Sequence, residues 1–549
     1  MSVSDAQDPI TLALTGALPS VVIAGALIAF PASLFLLALY RRAVLRGMKA
    51  SAGAPKPSAA PAAITAVAPD RPLEFTVLGQ ATVGRAAMPC ASGWRAASVD
   101  GAAIAAFAAV MTAAWLLATR DSEIGPVKLA LLFLTYFWPA VLAANLVAAT
   151  DRGTRLRIAL AYFAVYVPIA AIALVRSPAL TVVQVAQLWL VTNAPPTLLL
   201  YAFLARRIRA VGPIVLAFAV LAVLGSQLAV TLVGSSEASM RAAVAIGSGV
   251  GMGGTAVFWA TMVLGFLVFA FGAWLVLKWL GARYAAKRLS DEMLTLDAMM
   301  LLFGVTHSIG LVFEHWTWIA SGLVAFIAYK AAAAAGYRWL PKVDAPKRLL
   351  LLRVFALGAR SEPLFDAIRK RWLRGGSIAM IAGPDLVTSA VEPDEFLGFL
   401  SGDLGRTFVA GEANLAARIA VMDRKPDPDG RFRVAEFFCR ADTWQATMQR
   451  LVAESDAVLM DLRSFSASNQ GCIFELGRLL DAIDLRRVVF VIDRSTDRAF
   501  LETTLSQLWS RLAERSPNRH AMSPAARVFE VSGPTAAETR ALVEHLATA

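Results

Sequence analysis

Residues 456–476 read DAVLMDLRSFSASNQGCIFEL, and this stretch decides the fold of the C-terminal part of the chain. The apolar run 457–460 predicts a buried strand that ends at Asp461, and a polar loop follows the strand. From Gly471 onward the apolar spacing becomes helical, with Glu475 in the first turns of the helix. In an open α/β sheet, ligands bind outside the carboxyl ends of the strands. We therefore predict a site at this edge that contains Asp461, Arg463, Ser468, Asn469 and Glu475.

Four more apolar runs predict strands, and helical patterns separate them. The runs occupy 349–358, 377–386, 486–493 and 526–533. Near-continuous apolar strands that alternate with helices are typical of a parallel sheet covered on both faces. Because crossover connections are right-handed, the sequence predicts a five-stranded, doubly wound parallel α/β sheet.

Two of these strands also end in residues suited to binding. The run 377–386 contains Gly383 and Asp385, and the run 486–493 ends at Asp493. The carboxyl ends of parallel strands share one edge of the sheet, so we add these three residues to the predicted substrate-binding set. Between the second and third strands, RIAVMDRKPDPDGRFRVAEFFC (418–439) predicts an inserted hairpin with its turn at Asp429 and Gly430.

The first 340 residues have the composition of a membrane domain. The whole chain is 57% hydrophobic with a mean hydropathy of +0.60, whereas soluble proteins average about 45–50% apolar residues. The excess lies in about nine apolar runs of spanning length, of which 293–313 is the weakest because it contains Asp297 and His307. The runs are 17–40, 101–119, 129–149, 158–175, 179–205, 211–233, 255–277, 293–313 and 316–335.

The loop charges predict the orientation of these spans. With the N-terminus outside the cell, the inner loops carry fourteen Lys and Arg residues and the outer loops carry four, as the positive-inside rule requires. Nine spans then place the C-terminal domain in the cytoplasm. We predict a multi-pass domain over 1–340 with a Pro/Ala-rich linker at 50–72, a short linker at 341–348 and a cytoplasmic α/β domain over 349–549. LEFTVLG (73–79) predicts one short additional strand.

Charge and cysteine usage argue against two other classes of protein. The net charge of +12 comes largely from short loops between apolar runs, so nucleic-acid binding is not favoured and the predicted partner is the lipid bilayer. The three cysteines and four histidines have no metal-ligand spacing, which predicts neither a zinc site nor a disulfide framework. Homo-oligomerisation stays open.

Two stretches resemble the Toll/interleukin receptor (TIR) domain. RVFALGARSEPLFDAIRKRW (353–372) is similar to its first strand, loop and helix, and SASNQGCIFEL (466–476) is similar to a TIR stretch with Ser, Cys and Glu-Leu. In TIR domains that cleave NAD, this Glu is the catalytic carboxylate, and the resemblance assigns that role to Glu475. The chain departs from the family at Gly471, where an aromatic residue is usual, in a Ser-to-Glu spacing longer by one residue, and in its insertion at 387–445.

The same stretch is similar to nucleoside deoxyribosyltransferases, which carry Gly-Thr and a catalytic Glu in a comparable helix; Cys472 stands here in place of the Thr. Both families attack the bond between a ribose carbon and a nitrogen base. The resemblance therefore implies cleavage of NAD or another nucleotide, with the nucleotide as substrate or ligand and without a further cofactor.

The residues themselves suit this chemistry. A carboxylate at Glu475 stabilises the positive charge that develops on the ribose, Ser468 and Asn469 hydrogen-bond its hydroxyls, and Arg463 binds a phosphate. A Glu475 that only complements the helix dipole is the alternative reading of that residue. Two other functions stay open: a non-catalytic nucleotide sensor that regulates a membrane assembly, and a transporter or channel with a regulatory cytoplasmic domain.

Overall fold

The computed structural model describes most of the chain, and all structural statements below concern these residues. They are 9–50, 69, 71–79, 93–120, 125–149, 152–176, 181–192, 211–234, 236–312, 314–341, 343, 345–354, 362–383, 393–400, 402, 404–420, 422, 425–440, 442–533 and 535–548. The chain divides into two compact units. The first contains 1–39, 97–339 and 391–397, and the second contains 40–96, 340–390 and 398–549.

The first unit consists of helices. They are α1 (Pro9–Lys49), which continues into the second unit, α2 (Gly93–Thr119), α3 (Pro126–Ala148), α4 (Arg152–Arg176), α5 (Val182–Thr192), α6 (Val211–Gly234), α7 (Glu237–Gly249), α8 (Gly254–Ala285), α9 (Asp291–Val312) and α10 (Ser321–Tyr337). Among the described residues, eight are long and apolar enough to cross a membrane: α1, α2, α3, α4, α6, α8, α9 and α10. Of the predicted fifth span, α5 is described and the remainder from 193 lies outside the described residues.

Small residues let the helices of this unit approach closely, as is common between membrane helices. A Cβ atom on Gly322 of α10 would lie 2.2 Å from the carbonyl oxygen of Gly304 in α9. Beside them, the Ser308 hydroxyl accepts a hydrogen bond from the Gly322 N–H at 2.8 Å. Lys330 of α10 and Asp297 of α9 form an ion pair at 2.6 Å. Asp297, one of the two polar residues of the weakest predicted span, is thus paired with a Lys of the neighbouring helix.

The second unit is built on a parallel sheet. Its strands are β1 (Glu74–Val77), β2 (Lys347–Arg353), β3 (Gly376–Ala382), β4 (Phe408–Val409), β5 (Val434–Cys439), β6 (Ala457–Asp461), β7 (Val488–Ile492) and β8 (Ala525–Glu530). Their order is β1-β8-β7-β6-β2-β3-β5-β4, and every pairing is parallel. The five predicted strands follow the order second, first, third, fourth, fifth, which is the flavodoxin-like order.

Helices cover both faces of this sheet, as the apolar strands predict. They are α11 (Glu362–Trp372), α13 (Glu412–Ala420), α14 (Trp444–Glu454), α15 (Gln470–Ala482), α16 (Arg498–Trp509) and α17 (Ala536–Ala547). Helix α12 (Pro393–Leu400) precedes α13 in the chain and is divided between the two units. One core contains residues of α14, α15 and α16, including Leu451, Leu479 and Leu505. The other contains residues of α11 and α17, including Trp372 and Leu542. The doubly wound arrangement is therefore present.

Two details of the prediction are wrong. The sheet has eight strands rather than five, because β1, β4 and β5 extend it at its two sides. The predicted hairpin at 418–439 is absent: its first half begins in α13, and β5 pairs in parallel with β3 and β4. The turn itself is present, with Gly430 at φ 80° and its N–H bonded to the Asp427 carbonyl. A turn signal fixes the local bend, but it does not fix which strand pairs with the next one.

The boundary predicted at residue 349 also omits part of the α/β unit. Strand β1 comes from the connection between α1 and α2 and pairs with β8, from Glu74 opposite Ala525 to Val77 opposite Val528. The predicted short strand in 73–79 is thus confirmed, but it lies in the sheet of the C-terminal domain. The local sequence of β1 does not indicate that β8 is its partner.

Candidate functional site

The predicted site residues lie along one edge of the sheet. Gly383 follows β3, Asp461 ends β6 and Asp493 follows β7, all at the carboxyl ends of parallel strands. The strand order reverses between β2 and β6, because the chain proceeds from β2 to β3 on one side and from β6 to β7 on the other. Such a switch point is where open α/β sheets bind ligands. Asp385 lies outside the described residues.

Asp461 and Arg463 form a buried ion pair at this switch point. The Arg463 Nε donates to Asp461 Oδ1 at 2.8 Å, and Nη2 donates to Oδ2 at 2.7 Å. Asp461 is 0% exposed and Arg463 is 7% exposed. Burial alone lowers the pKa of Arg463, but the hydrogen bonds and charge of Asp461 raise it above its ordinary value, with a further contribution from Asp493. Two donor groups of Arg463 are therefore engaged by Asp461.

The loops after β6 and β7 are tied together around this pair. The Thr496 hydroxyl donates to the Leu462 carbonyl at 3.0 Å, and the Asp497 N–H donates to the Phe465 carbonyl at 3.1 Å. Asp493 accepts from the Ser495 N–H at 2.9 Å. Asp493 thus has a local turn role, while its charge acts on Arg463.

Ser468 and Asn469 are in the loop that leads into α15, and they differ in accessibility. Ser468 is exposed, with its hydroxyl 2.9 Å from that of Ser466. Asn469 occupies the N-cap position, but its Oδ1 accepts from the Ser466 N–H at 2.9 Å, and its side chain makes no capping bond to the helix. The N-terminal N–H groups of α15 are thus not capped by that side chain.

Glu475 faces the interior of the α/β unit. Cys472, Glu475, Leu476 and Leu479 are buried on one side of α15, a spacing of three and four residues that places them toward the sheet. Glu475 is 1% exposed, and its Oε2 is buried without a hydrogen bond among the described residues. A carboxylate that serves the helix dipole lies in the first turn and near solvent. Glu475 is the sixth residue of α15 and is buried, so the dipole does not account for it.

Burial raises the pKa of the Glu475 carboxyl to about 8, because the charged form is poorly solvated there. At neutral pH the isolated site therefore holds this carboxyl mainly in its protonated form. An acidic group that is dehydrated without a compensating partner costs stability when it ionises. Such perturbed carboxyls are concentrated at functional sites.

Two buried residues at this edge were not predicted as site residues. Arg353 ends β2, is 4% exposed and is the register partner of Asp461. The sequence feature that could have identified Arg353 is a single Arg in an otherwise apolar strand run. The Cys472 thiol lies one turn before Glu475 and donates to the Arg353 carbonyl at 3.9 Å; it is buried, as expected for a small apolar residue.

The arrangement thus combines a dehydrated carboxyl with a buried charge pair at a switch point. Within the described part of the chain, no group of three or more His, Cys, Asp or Glu residues is placed to hold a metal ion. The chemistry that this chain's own side chains can perform here is stabilisation of a positive charge or proton transfer by Glu475.

The fold and site define a doubly wound α/β unit with a buried carboxyl at its switch point, joined to a set of long apolar helices. Comparison with protein-family models, with curated proteins and with solved structures finds no match.

Proposed function

We propose that the chain is a membrane-anchored TIR-like effector or signalling protein that cleaves the N-glycosidic bond of NAD or a related nucleotide, with Glu475 as the catalytic carboxylate. The observation that supports it most directly is the 1% exposed Glu475, whose Oε2 has no hydrogen bond among the described residues, in the helix that follows β6. A carboxyl that served only stability would be hydrogen-bonded or exposed.

The reaction separates the anomeric carbon from the base nitrogen, and the bonding electron pair leaves with the base. Positive charge develops on the ribose, which an ionised Glu475 stabilises at close range. A water molecule then bonds to the anomeric carbon and releases its proton to solvent. In this proposal, Ser468 and Asn469 hydrogen-bond the ribose hydroxyls, and Gly383, Asp385 and Asp493 line the nucleotide.

Arg463 is the proposed phosphate ligand, and its ion pair with Asp461 sets a condition on that role. Its Nε and Nη2 are already bonded to Asp461. Phosphate binding must therefore use the remaining N–H donors, on Nη1 and Nη2, or compete with Asp461. Because charge-assisted bonds to a guanidinium are strong, the first route costs less free energy.

The direct test is to incubate the full-length protein in detergent with NAD and with nucleosides and to measure released base by chromatography. Base release supports the enzyme. Nucleotide binding without any release supports the sensor that regulates a membrane assembly. Absence of both, together with solute flux in vesicles, supports the transporter or channel.

The pH dependence of the reaction follows from the burial of Glu475. Because the carboxyl has a pKa of about 8 in the free protein and must be ionised to stabilise a cation, kcat/KM should rise with pH. We expect about a tenfold rise per pH unit below pH 8, followed by a plateau. A profile without this rise would contradict the assignment. Glu502→Gln, at a solvent-accessible ion pair with Arg498, should leave the profile unchanged.

We propose that this protein lies in the cell membrane with the N-terminus outside and the α/β unit in the cytoplasm. The pairing of β1 with β8 supports this topology, because segments of one sheet lie on one side of a bilayer. The number of crossings between β1 and β2 must then be even. Among the described residues, seven helices of spanning character lie between them, so the proposed nine-span topology requires one more crossing, which we assign to the predicted fifth span.

Cysteine labelling tests this count in a chain whose Cys90 is replaced by Ser. A membrane-impermeant maleimide should label Ser177→Cys and Ser235→Cys from outside the cell, since two crossings separate them. Ser58→Cys in the linker should react only after permeabilisation. If Ser177→Cys and Ser235→Cys react from opposite sides, the additional crossing does not exist and the nine-span topology is wrong.

A further inference from the structure

The outermost strand of the sheet is held by groups beyond its ladder. At one end, the Trp509 indole N–H donates to the Arg71 carbonyl at 2.8 Å, and Arg71 Nη1 donates to the Met522 carbonyl at 2.6 Å. At the other end, His545 Nε2 lies 3.0 Å from the Gly79 carbonyl oxygen. The contacts come from α16, α17 and the segment before β8, so three parts of the unit contact segment 71–79.

Side chains of the same segment fit both cores. Leu73 and Phe75 pack against the core under α15 and α16, and Leu78 packs against the core under α11 and α17. Alternate residues of a strand point to opposite faces, so one extended peptide fills both. Between them, the Glu74 N–H bonds to the Pro524 carbonyl at 2.9 Å, and the Leu78 N–H bonds to the Val528 carbonyl at 2.7 Å.

The opposite edge of the sheet is also covered by the N-terminal part of this unit. Tyr40 in α1 packs edge-to-face on Phe399, with ring centroids 5.6 Å apart. Gly47 lies so close to Phe408 of β4 that a Cβ atom would be 2.4 Å from the ring. The two edges are separated by seven strand spacings, or about 34 Å, a distance that the residues between Gly47 and Glu74 can readily span.

We propose that the outer edge of β8 is a binding surface for an extended peptide, and that its ligand is segment 71–79 of the same chain. The recognition is strand addition: main-chain bonds supply affinity, and the pockets for Leu73, Phe75 and Leu78 supply specificity. Because the segment is tethered, its effective concentration is high. The α/β unit is complete only when this segment is bound, and an unoccupied β8 edge would be open to association with other strands.

A disulfide across the proposed contact tests both the register and the origin of the strand. In full-length protein with Cys90→Ser, Glu74→Cys and Ala525→Cys stand at paired positions, close enough to be bridged. We expect a disulfide within one chain, identified by mass spectrometry of linked peptides. The control pair Glu74→Cys and Val528→Cys is three residues out of register, which is a shift of about 10 Å along the strand, and should not form it.

Co-expression of two tagged copies separates cis binding from exchange. One copy carries Glu74→Cys and the other carries Ala525→Cys. A covalent dimer at high yield would show that the ligand comes from a second copy and would overturn the cis assignment. Absence of the disulfide in the single chain with both cysteines would overturn the contact itself.

Hydrogen exchange gives a second measure that does not depend on new cysteines. Arg71→Ala combined with Trp509→Phe removes the polar contacts at one end of the segment. Amide exchange of β8 should become at least about tenfold faster, while Thr76→Ala, at an exposed position of the same strand, should leave it unchanged. Equal exchange in both variants would count against the proposal. None of these measurements depends on NAD cleavage.

Discussion

Glu475→Gln should abolish most of the base release while making the protein more stable at neutral pH. The amide keeps the size of the side chain but cannot carry negative charge, so stabilisation of the ribose cation is lost. We expect turnover to fall by about a hundredfold or more. Base release from NAD by the full-length protein is the measurement.

The stability part of this prediction has a definite pH dependence. The folded pKa of Glu475, about 8, lies above the ordinary value of 4.5 for a Glu carboxyl. The protonated form therefore stabilises the fold fully below about pH 4.5, and this contribution is lost as the pH rises through 8. Relative to wild type, Glu475→Gln should gain about 3 kcal/mol in the free energy of unfolding at pH 7 and little at pH 4.5.

Two outcomes would contradict this assignment. An active Glu475→Gln protein would show that Glu475 is not the catalytic carboxylate. A variant that is inactive and also less stable than wild type at pH 7 would indicate a structural role for the carboxyl. Glu502→Gln is the matched control, since Glu502 is partly exposed and paired with Arg498, and it should change neither property.

Asp461→Ala should be the most destabilising single substitution at the site. It would leave the Arg463 guanidinium buried without the carboxylate that accepts from its Nε and Nη2. Loss of one partner of a buried ion pair costs about 3–5 kcal/mol, mainly because the remaining charge is poorly solvated. Chemical denaturation of the full-length protein, followed by tryptophan fluorescence, measures this change.

Replacement of both partners shows whether the loss of stability comes from a buried charge without its partner or from lost packing. The double variant Asp461→Leu with Arg463→Met should recover a large part of the stability, because neither charge remains buried. If the double variant is as unstable as Asp461→Ala, packing rather than charge explains the loss. Glu502→Ala, at the exposed pair with Arg498, should cost less than about 1 kcal/mol.

Local sequence patterns were sufficient for the central part of the α/β unit. The apolar runs that became β2, β3, β6 and β7 bury nearly every residue on a two-faced sheet, and β8 buries three of its six residues. Their polar ends therefore had to collect at one edge, which brought Asp461 and Asp493 together at the site. The apolar runs of the N-terminal part likewise predicted long helices, because hydropathy over about 20 residues is a local property.

Other features depended on contacts between distant residues. The sequence placed Glu475 on a helix, but its burial required the packing of α15 on the sheet. The sequence predicted that Arg463 binds a phosphate. In the structure, the tight loop after β6 places its guanidinium in hydrogen-bond contact with Asp461, two residues before it. Local spacing does not report which of two candidate anions a long Arg side chain reaches.

The strand partners of β1 and β5 show the same division. The residues of each strand predicted the strand itself but not its partner. Strand β1 pairs with β8, although Arg71 and Met522, which precede the two strands, are 451 residues apart in the sequence. Strand β5 pairs in parallel instead of closing a hairpin. The sequence by itself determined where strands, helices and strand-end carboxylates occur, because these depend on local periodicity. Tertiary structure alone decided strand partners, buried ion pairing and the dehydration of Glu475, because each arises from groups that meet only when the chain is packed.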